Sequence, residues 1–200
     1  PHGMLDPWAL SHKWLKKKVA WYAYQKRLLD QAVLLHGTSE HETRQFKVLK
    51  LRPPNILAPW GVSLPQAFAA RPAPRLRIAL FVGRIYPVKG LLMLVEAWAK
   101  VRPAGWKFRI VGPDEAGHRA EVEALILKTR AEDVFEFMGP LQGAALRAAY
   151  ESAGLFILPS YTESFGMAVA EAMAHSLPVI TTTGTPWQIL PERGCGWWVA

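Results

Sequence analysis

Short apolar runs alternate with amphipathic stretches over most of the chain. Residues 76–82, 106–111, 134–138, 155–158 and 178–182 are short, mostly apolar runs, and 197–199 begins or completes one more. Between them, 90–101, 117–131, 143–152 and 166–175 carry helical spacing. The runs are too short for helices, and 78–82 and 155–158 are apolar at every position, so they predict strands of a sheet buried on both faces. Strict alternation of strand and helix predicts βαβ units and a parallel sheet, and right-handed crossovers make this a doubly wound, Rossmann-like domain.

Upstream the pattern differs. Residues 11–35 predict a helix in which Trp14, Trp21 and Leu28 recur every seven residues, Leu15, Tyr22 and Leu29 form the adjacent column, and Lys13, Lys16 and Lys17 cluster on another face. A core-packed helix with a solvated lysine face is the plainer reading. The functional one is contact with an anionic membrane surface or an acidic acceptor, through lysine heads and interfacial aromatic rings. Residues 32–38 predict a short buried strand, and Ser39 the N-cap of a helix with Glu40 and Glu42 in its first turn. The prolines of 52–65 forbid a helix, and Ile56 and Leu57 allow only a brief strand. With the proline-rich AARPAPR close behind, a domain boundary is expected near residues 65–74, dividing the chain into 1–68 and 69–200.

Composition narrows the setting. Half of the 200 residues are hydrophobic, enough for a sizeable core. No apolar run is long enough for a transmembrane helix. The opening PHGMLDPWAL lacks the basic and apolar regions of a signal peptide. It starts without Met and in mid-pattern, so the chain reads as an internal part of a longer protein. Cys195 is the single cysteine, which excludes an intramolecular disulfide and a cysteine metal set and fits a reducing cytoplasm. The net charge of +8 is uneven: residues 1–75 hold 12 Lys/Arg against 4 Asp/Glu, and residues 76–200 hold 12 of each. No nucleic-acid motif accompanies the basic part, so nucleic acid is not an expected partner.

Ligands of such a sheet bind outside the carboxyl ends of its strands. The first strand-end loop, GRIYPVKG over 83–90, places Arg84 and Lys89 between two glycines, and a diphosphate is the natural guest of that pair. GxGxxG and Walker patterns are absent, which removes the usual dinucleotide and P-loop readings. GPDEAGH and MGPLQG follow the next two strands; the first could pass under a nucleotide or be an ordinary turn, and a base or ribose could rest against the second. In PSYTESFGMAVAEAMAHSL, Glu163 stands in the turn before a helix and Glu171 within it. The pair reads as two groups facing one crevice, as acid and base, or as a dipole-favouring charge and a solvated one. His12, His36, His41, His118 and His175 read as structural or surface residues, without ligand-set spacing.

GRIYPVKG, VGP, FMGPL and LPSYTESFGMAVAEAMAHSLPVITT, in this order and spacing, resemble the nucleotide-sugar half of retaining glycosyltransferases with the two-Rossmann GT-B fold, often called glycosyltransferase family 4. Glu163 and Glu171 match that family's E-x7-E motif. The resemblance is dense over 76–200 and looser upstream, where PHGMLDPWAL, the Trp/Lys helix and HGTSEHE look like the end of an acceptor domain. It implies an α/β GT-B fold and transfer of a sugar from a nucleotide-diphosphate donor to a glycan or lipid-linked acceptor with retention, without a metal or other cofactor. Arg84 and Lys89 would hold the diphosphate, Glu163 the transferred sugar and Glu171 the ribose, with the backbone of Ser164, Phe165, Gly166 and Met167 binding sugar hydroxyls and phosphate. His2 is the one acceptor-side candidate. The departures are Trp60 where an asparagine is usual, and Gln188 where an acid is frequent. The alternatives are a nucleotide-sugar epimerase of the same fold and a truncated nucleotide-sugar-binding protein. The location expected is cytoplasmic, with peripheral contact at the inner membrane face through the basic helix.

Overall fold

The computed structural model describes Leu5, residues 14–64 and residues 77–200. The expected boundary at 65–74, and His2, lie outside these. The chain divides into two units, one from Pro1–Gly61 with Thr162–Gly166 and the other from Val62–Tyr161 with Met167–Ala200.

The described part of the first unit opens with α1 (Trp14–Ala20), a π-helical segment at Trp21–Gln25, and α2 (Lys26–Asp30). Strand β1 (Leu35–Gly37) pairs in parallel with β2 (Asn55–Leu57), and α3 (Glu40–Val48) lies between them in sequence. Leu5, Leu35 and Phe46 form a small core on which Trp21 and Leu29 pack. The seven-residue columns do not survive. A π turn carries more residues than an α turn and rotates the face that follows. Trp21 and Leu29 therefore reach the core while Trp14, Leu15, Tyr22 and Leu28 are exposed. The strand expected over 32–38 is only Leu35–Gly37, because Ala32 still closes a turn onto Leu29 and Val33 is 92% exposed. Ser39 is the N-cap expected, accepting from the Glu42 amide at 3.2 Å. Glu42 is itself buried, its Oε2 accepting from the Thr38 amide at 2.9 Å and hydroxyl at 3.0 Å.

The second unit alternates strand and helix: β3 (Ile78–Val82), α4 (Leu91–Val101), β4 (Lys107–Val111), α5 (His118–Lys128), β5 (Phe135–Gly139), α6 (Gly143–Ser152), β6 (Leu155–Leu158), α7 (Met167–Ala174), β7 (Val179–Thr182), α8 (Ile189–Glu192) and β8 (Gly196–Val199). A 3-10 turn, Pro87–Lys89, precedes α4. The six strands form one parallel sheet in the order β5-β4-β3-β6-β7-β8. Central β3 is almost entirely buried, as a strand covered on both faces must be, whereas edge strand β8 alternates. Helix α4 turns Leu91, Leu94, Val95 and Trp98 inward at i, i+3, i+4 and i+7. Trp98 meets Phe108 edge-on at 5.1 Å, and Phe108 lies 5.3 Å from Phe135, so α4, β4 and β5 share one aromatic cluster.

Candidate functional site

The strand order reverses between β3 and β6. The chain winds outward from β3 through β4 to β5, then crosses back to β6 and continues outward through β7 to β8. The loops leaving β3 and β6 at the carboxyl edge consequently run in opposite directions and leave a crevice, the usual ligand position in this architecture. Arg84 and Lys89 lie on the loop after β3, and Glu171 lies on α7, which follows β6 in sequence.

Three carboxyl-end loops of the second unit are joined by backbone hydrogen bonds. Ile85 donates to Pro113 O at 2.8 Å and accepts from the Glu115 amide at 3.1 Å, extending the β3–β4 pairing past the strand ends. Tyr161, after β6, donates to Val88 O at 2.8 Å. Gly90 closes the 3-10 turn with φ +68, and an added Cβ there would overlap the carbonyl of Pro159. The glycine allows both the left-handed backbone and the close approach of two loops. Thr181 Oγ1 donates to Leu158 O at 2.8 Å, and Thr182 Oγ1 donates to Ser160 O, holding the end of β6 from its other side.

The charged groups are arranged on this frame. Arg84 is exposed, forms an ion pair with Glu115 and has its guanidinium 5.8 Å from the Tyr86 ring centroid. Lys89 is half-buried, and its Cε would stand 3.8 Å from a Cβ built on Gly83, so its stem crosses the start of the loop. Glu171 is half-buried, and its Oε2 accepts a 2.7 Å hydrogen bond from Tyr150. Burial first, and then the bond to Glu171, push the Tyr150 phenol well above the usual tyrosine range, so it remains a donor.

Met167 opens α7 and is partly exposed, and Gly166 just before it has φ +81. Glu163, Ser164, Phe165 and Gly166 belong to the segment that groups with the first unit, where Ser164 O accepts from Thr38 Oγ1 at 3.1 Å. Thus Arg84, Lys89, Met167 and Glu171 share one unit, and Glu163 to Gly166 share the other. Two polar partners escaped sequence reasoning: Glu115, which neutralises Arg84, and Tyr150, which holds Glu171. Glu115 lies inside a loop already singled out, but nothing in its spacing points to Arg84. Tyr150 carried no signal at all. Among the remaining histidines, His118 is buried with Nδ1 3.1 Å from Glu121 Oε2, and His36 Nε2 meets Ala58 O at 2.6 Å. Trp60, in the place of the usual asparagine, meets His36 edge-on at 6.0 Å. Gln188 stands at the N-cap of α8 and makes no side-chain capping bond there. Among the described residues no group of His, Cys, Asp and Glu has metal-site geometry, and no helix is long and apolar enough to cross a membrane.

Known proteins resemble this chain in sequence and in fold. The family described as Glycosyl transferases group 1 matches residues 77–200. A D-inositol 3-phosphate glycosyltransferase of Kineococcus radiotolerans is 32% identical over 178 residues, covering 78% of this chain and 41% of the relative, so the chain spans less than half of that protein. The sucrose-phosphate synthase of Thermosynechococcus elongatus superposes with a TM-score of 0.75 at 26% identity, over 94% of this chain and 48% of its own. Anabaena HepE, solved in complex with UDP and glucose, gives a TM-score of 0.78 over 99% of this chain and 56% of its own; at 21% identity that likeness is one of fold. The α/β, GT-B fold class expected from the sequence is the one found. With the family matching over more than half of its length, this chain belongs to the group 1 glycosyltransferases.

Proposed function

We propose that this chain carries the donor site of an enzyme that moves a sugar from a nucleotide-diphosphate sugar to a glycan or lipid-linked acceptor, with retention of anomeric configuration. The observation that carries the reading is the cationic loop of Arg84 and Lys89 beside the β3–β6 reversal, tied by Tyr161 N to the loop leaving β6. Arg84 offers a planar, bidentate grip on phosphate oxygens, and Lys89 a compact charge. As the bond between sugar and diphosphate breaks, negative charge grows on the departing phosphate, and fixed cations there lower the barrier. In this reading Arg84 and Lys89 replace a divalent ion, Glu171 accepts the ribose hydroxyls, and Glu163 with the Ser164–Met167 backbone addresses the sugar and phosphate. The names of the relatives and the nucleotide and sugar in the HepE complex support a sugar donor of this class.

Titration calorimetry with UDP, GDP and ADP tests the donor site. One of them is expected to bind with Kd between about 1 μM and 1 mM. Arg84→Ala and Lys89→Ala should each weaken that binding by about tenfold or more, the worth of a charge-assisted hydrogen bond. EDTA should change nothing. Unchanged affinity in both variants refutes the assignment. Peripheral attachment to an anionic membrane is proposed for the first unit, whose exposed Trp14, Leu15, Tyr22 and Leu28 share a helical run with Lys16, Lys17 and Lys18. Flotation with anionic but not neutral liposomes is the expected result, and no lipid-dependent recovery refutes it.

A further inference from the structure

Tyr150, on α6, is 2% exposed. Its ring stacks on His175, with centroids 5.2 Å apart and 3° between planes, and lies 6.0 Å from the ring of Phe156 in β6. A buried ring stacked on one neighbour and packed near another has little freedom to turn, and this one aims its hydroxyl at Glu171 Oε2, 2.7 Å away on the following helix. We propose that Tyr150 is a positioning residue for nucleotide recognition, fixing the Glu171 carboxylate so that it receives the two ribose hydroxyls in a single geometry. The proposal rests on the reading of Glu171 as the ribose-binding group.

A glutamate side chain has three rotatable bonds and loses substantial rotamer freedom when a ligand immobilises it. Tyr150 imposes that order before the ligand arrives, so binding does not bear the cost. The phenol occupies one of about four lone-pair directions on the carboxylate, which leaves room for a vicinal diol. Because burial keeps the phenol protonated, it donates to the carboxylate and does not compete with the ribose for it.

The test compares UDP, GDP and ADP with their 2′,3′-dideoxy counterparts, by calorimetry, on the wild-type chain and Tyr150→Phe. Wild type is expected to prefer the ribonucleotide by about tenfold or more. Tyr150→Phe should lose about 3- to 10-fold in affinity for the ribonucleotide while the dideoxy form stays within about twofold. A merely structural role would weaken both ligands alike, so an unchanged preference in Tyr150→Phe overturns the proposal. Should that variant not fold, 3-fluorotyrosine at position 150, a more acidic donor, must shift ribonucleotide affinity alone; an unaltered preference again overturns it. If none of the three diphosphates binds wild type, the donor-site reading fails and this proposal fails with it. Binding with a preference indifferent to position 150 overturns this proposal only.

Discussion

Gly90 and Gly117 allow the close approach of two loops to be measured. Both are N-cap glycines in the left-handed region, Gly90 at φ 68 and ψ 22 before α4, and Gly117 at φ 76 and ψ 12 before α5. Alanine in that conformation costs about 1–2 kcal/mol at either position. The surroundings differ. A Cβ at Gly117 meets nothing within 4 Å, whereas one at Gly90 overlaps the backbone oxygen of Pro159 and comes within 3.4 Å of Met93 Cε. A backbone carbonyl at the end of a buried strand cannot swing aside as a side-chain tip can, so Gly90→Ala adds an overpacking cost of about 1–3 kcal/mol. The expected losses are therefore about 1–2 kcal/mol for Gly117→Ala and about 2–5 kcal/mol for Gly90→Ala. Urea unfolding followed by tryptophan fluorescence reads both, as midpoint shifts at unchanged m. Losses equal to within about 0.5 kcal/mol would show that the β3 and β6 loops do not approach as described.

Three further outcomes are expected. Lys26, through a 2.5 Å hydrogen bond, and then the Arg52 amide hold Asp30 below the usual carboxylate range. A depressed carboxylate stabilises above its unfolded value and loses that contribution as pH falls through the folded one. The advantage of wild type over Asp30→Asn in thermal melting should then be flat above about pH 5 and shrink below about pH 4, and a constant difference down to about pH 2 would refute it. Ser39→Ala should cost about 1 kcal/mol by denaturant titration, since the Glu42 amide loses its cap, and no loss would mean the cap is idle. Glu115→Gln releases Arg84 from a half-exposed ion pair, so stability should change by no more than about 1 kcal/mol while binding of the preferred nucleoside diphosphate tightens a few-fold at low salt; weaker binding would show that Glu115 assists the ligand.

The parallel sheet was legible because strands covered on both faces are rich in apolar residues: central β3 and β6 are apolar throughout, while β4 and edge strand β5 admit Lys107, Arg109 and Glu136. Residues 155–158 match β6 outright, 178–182 misses β7 by one residue at its start, and 134–138 misses β5 by one residue at each end. What was not legible depends on contacts between elements. The 3-10 turn Pro87–Lys89 is held by Tyr161 N on Val88 O, a bond across more than seventy residues of chain. Helix α8 contains Pro191 and has no periodicity to detect in its four residues. The π segment at Trp21–Gln25 overturned the heptad columns because a pattern in sequence assumes a constant turn, and this helix does not keep one.

The site divides along the same line. Arg84, Lys89 and Glu171 stood out in the sequence because segments that follow a strand restrict what a charged residue can face; Arg84 and Lys89 lie on the loop after β3, and Glu171 on the helix after β6. Their partners did not. Glu115 is 31 residues from Arg84, and Tyr150 is 21 residues from Glu171. Neither separation matches a turn, a helical repeat or a strand pairing. Arg84 and Glu115 meet because parallel topology returns successive strand-end loops to one edge of the sheet, and Tyr150 and Glu171 because the crossover helices α6 and α7 lie within reach of each other, both properties of the strand order. That order has opposite consequences for the two pairs. In the proposed donor site, Glu115 presents Arg84 with an anion that a diphosphate would have to displace, whereas Tyr150 donates to Glu171 and would leave its charge for the ribose. On that proposal one group is held in competition and the other in readiness, so Glu115→Gln and Tyr150→Phe should move nucleotide affinity in opposite directions.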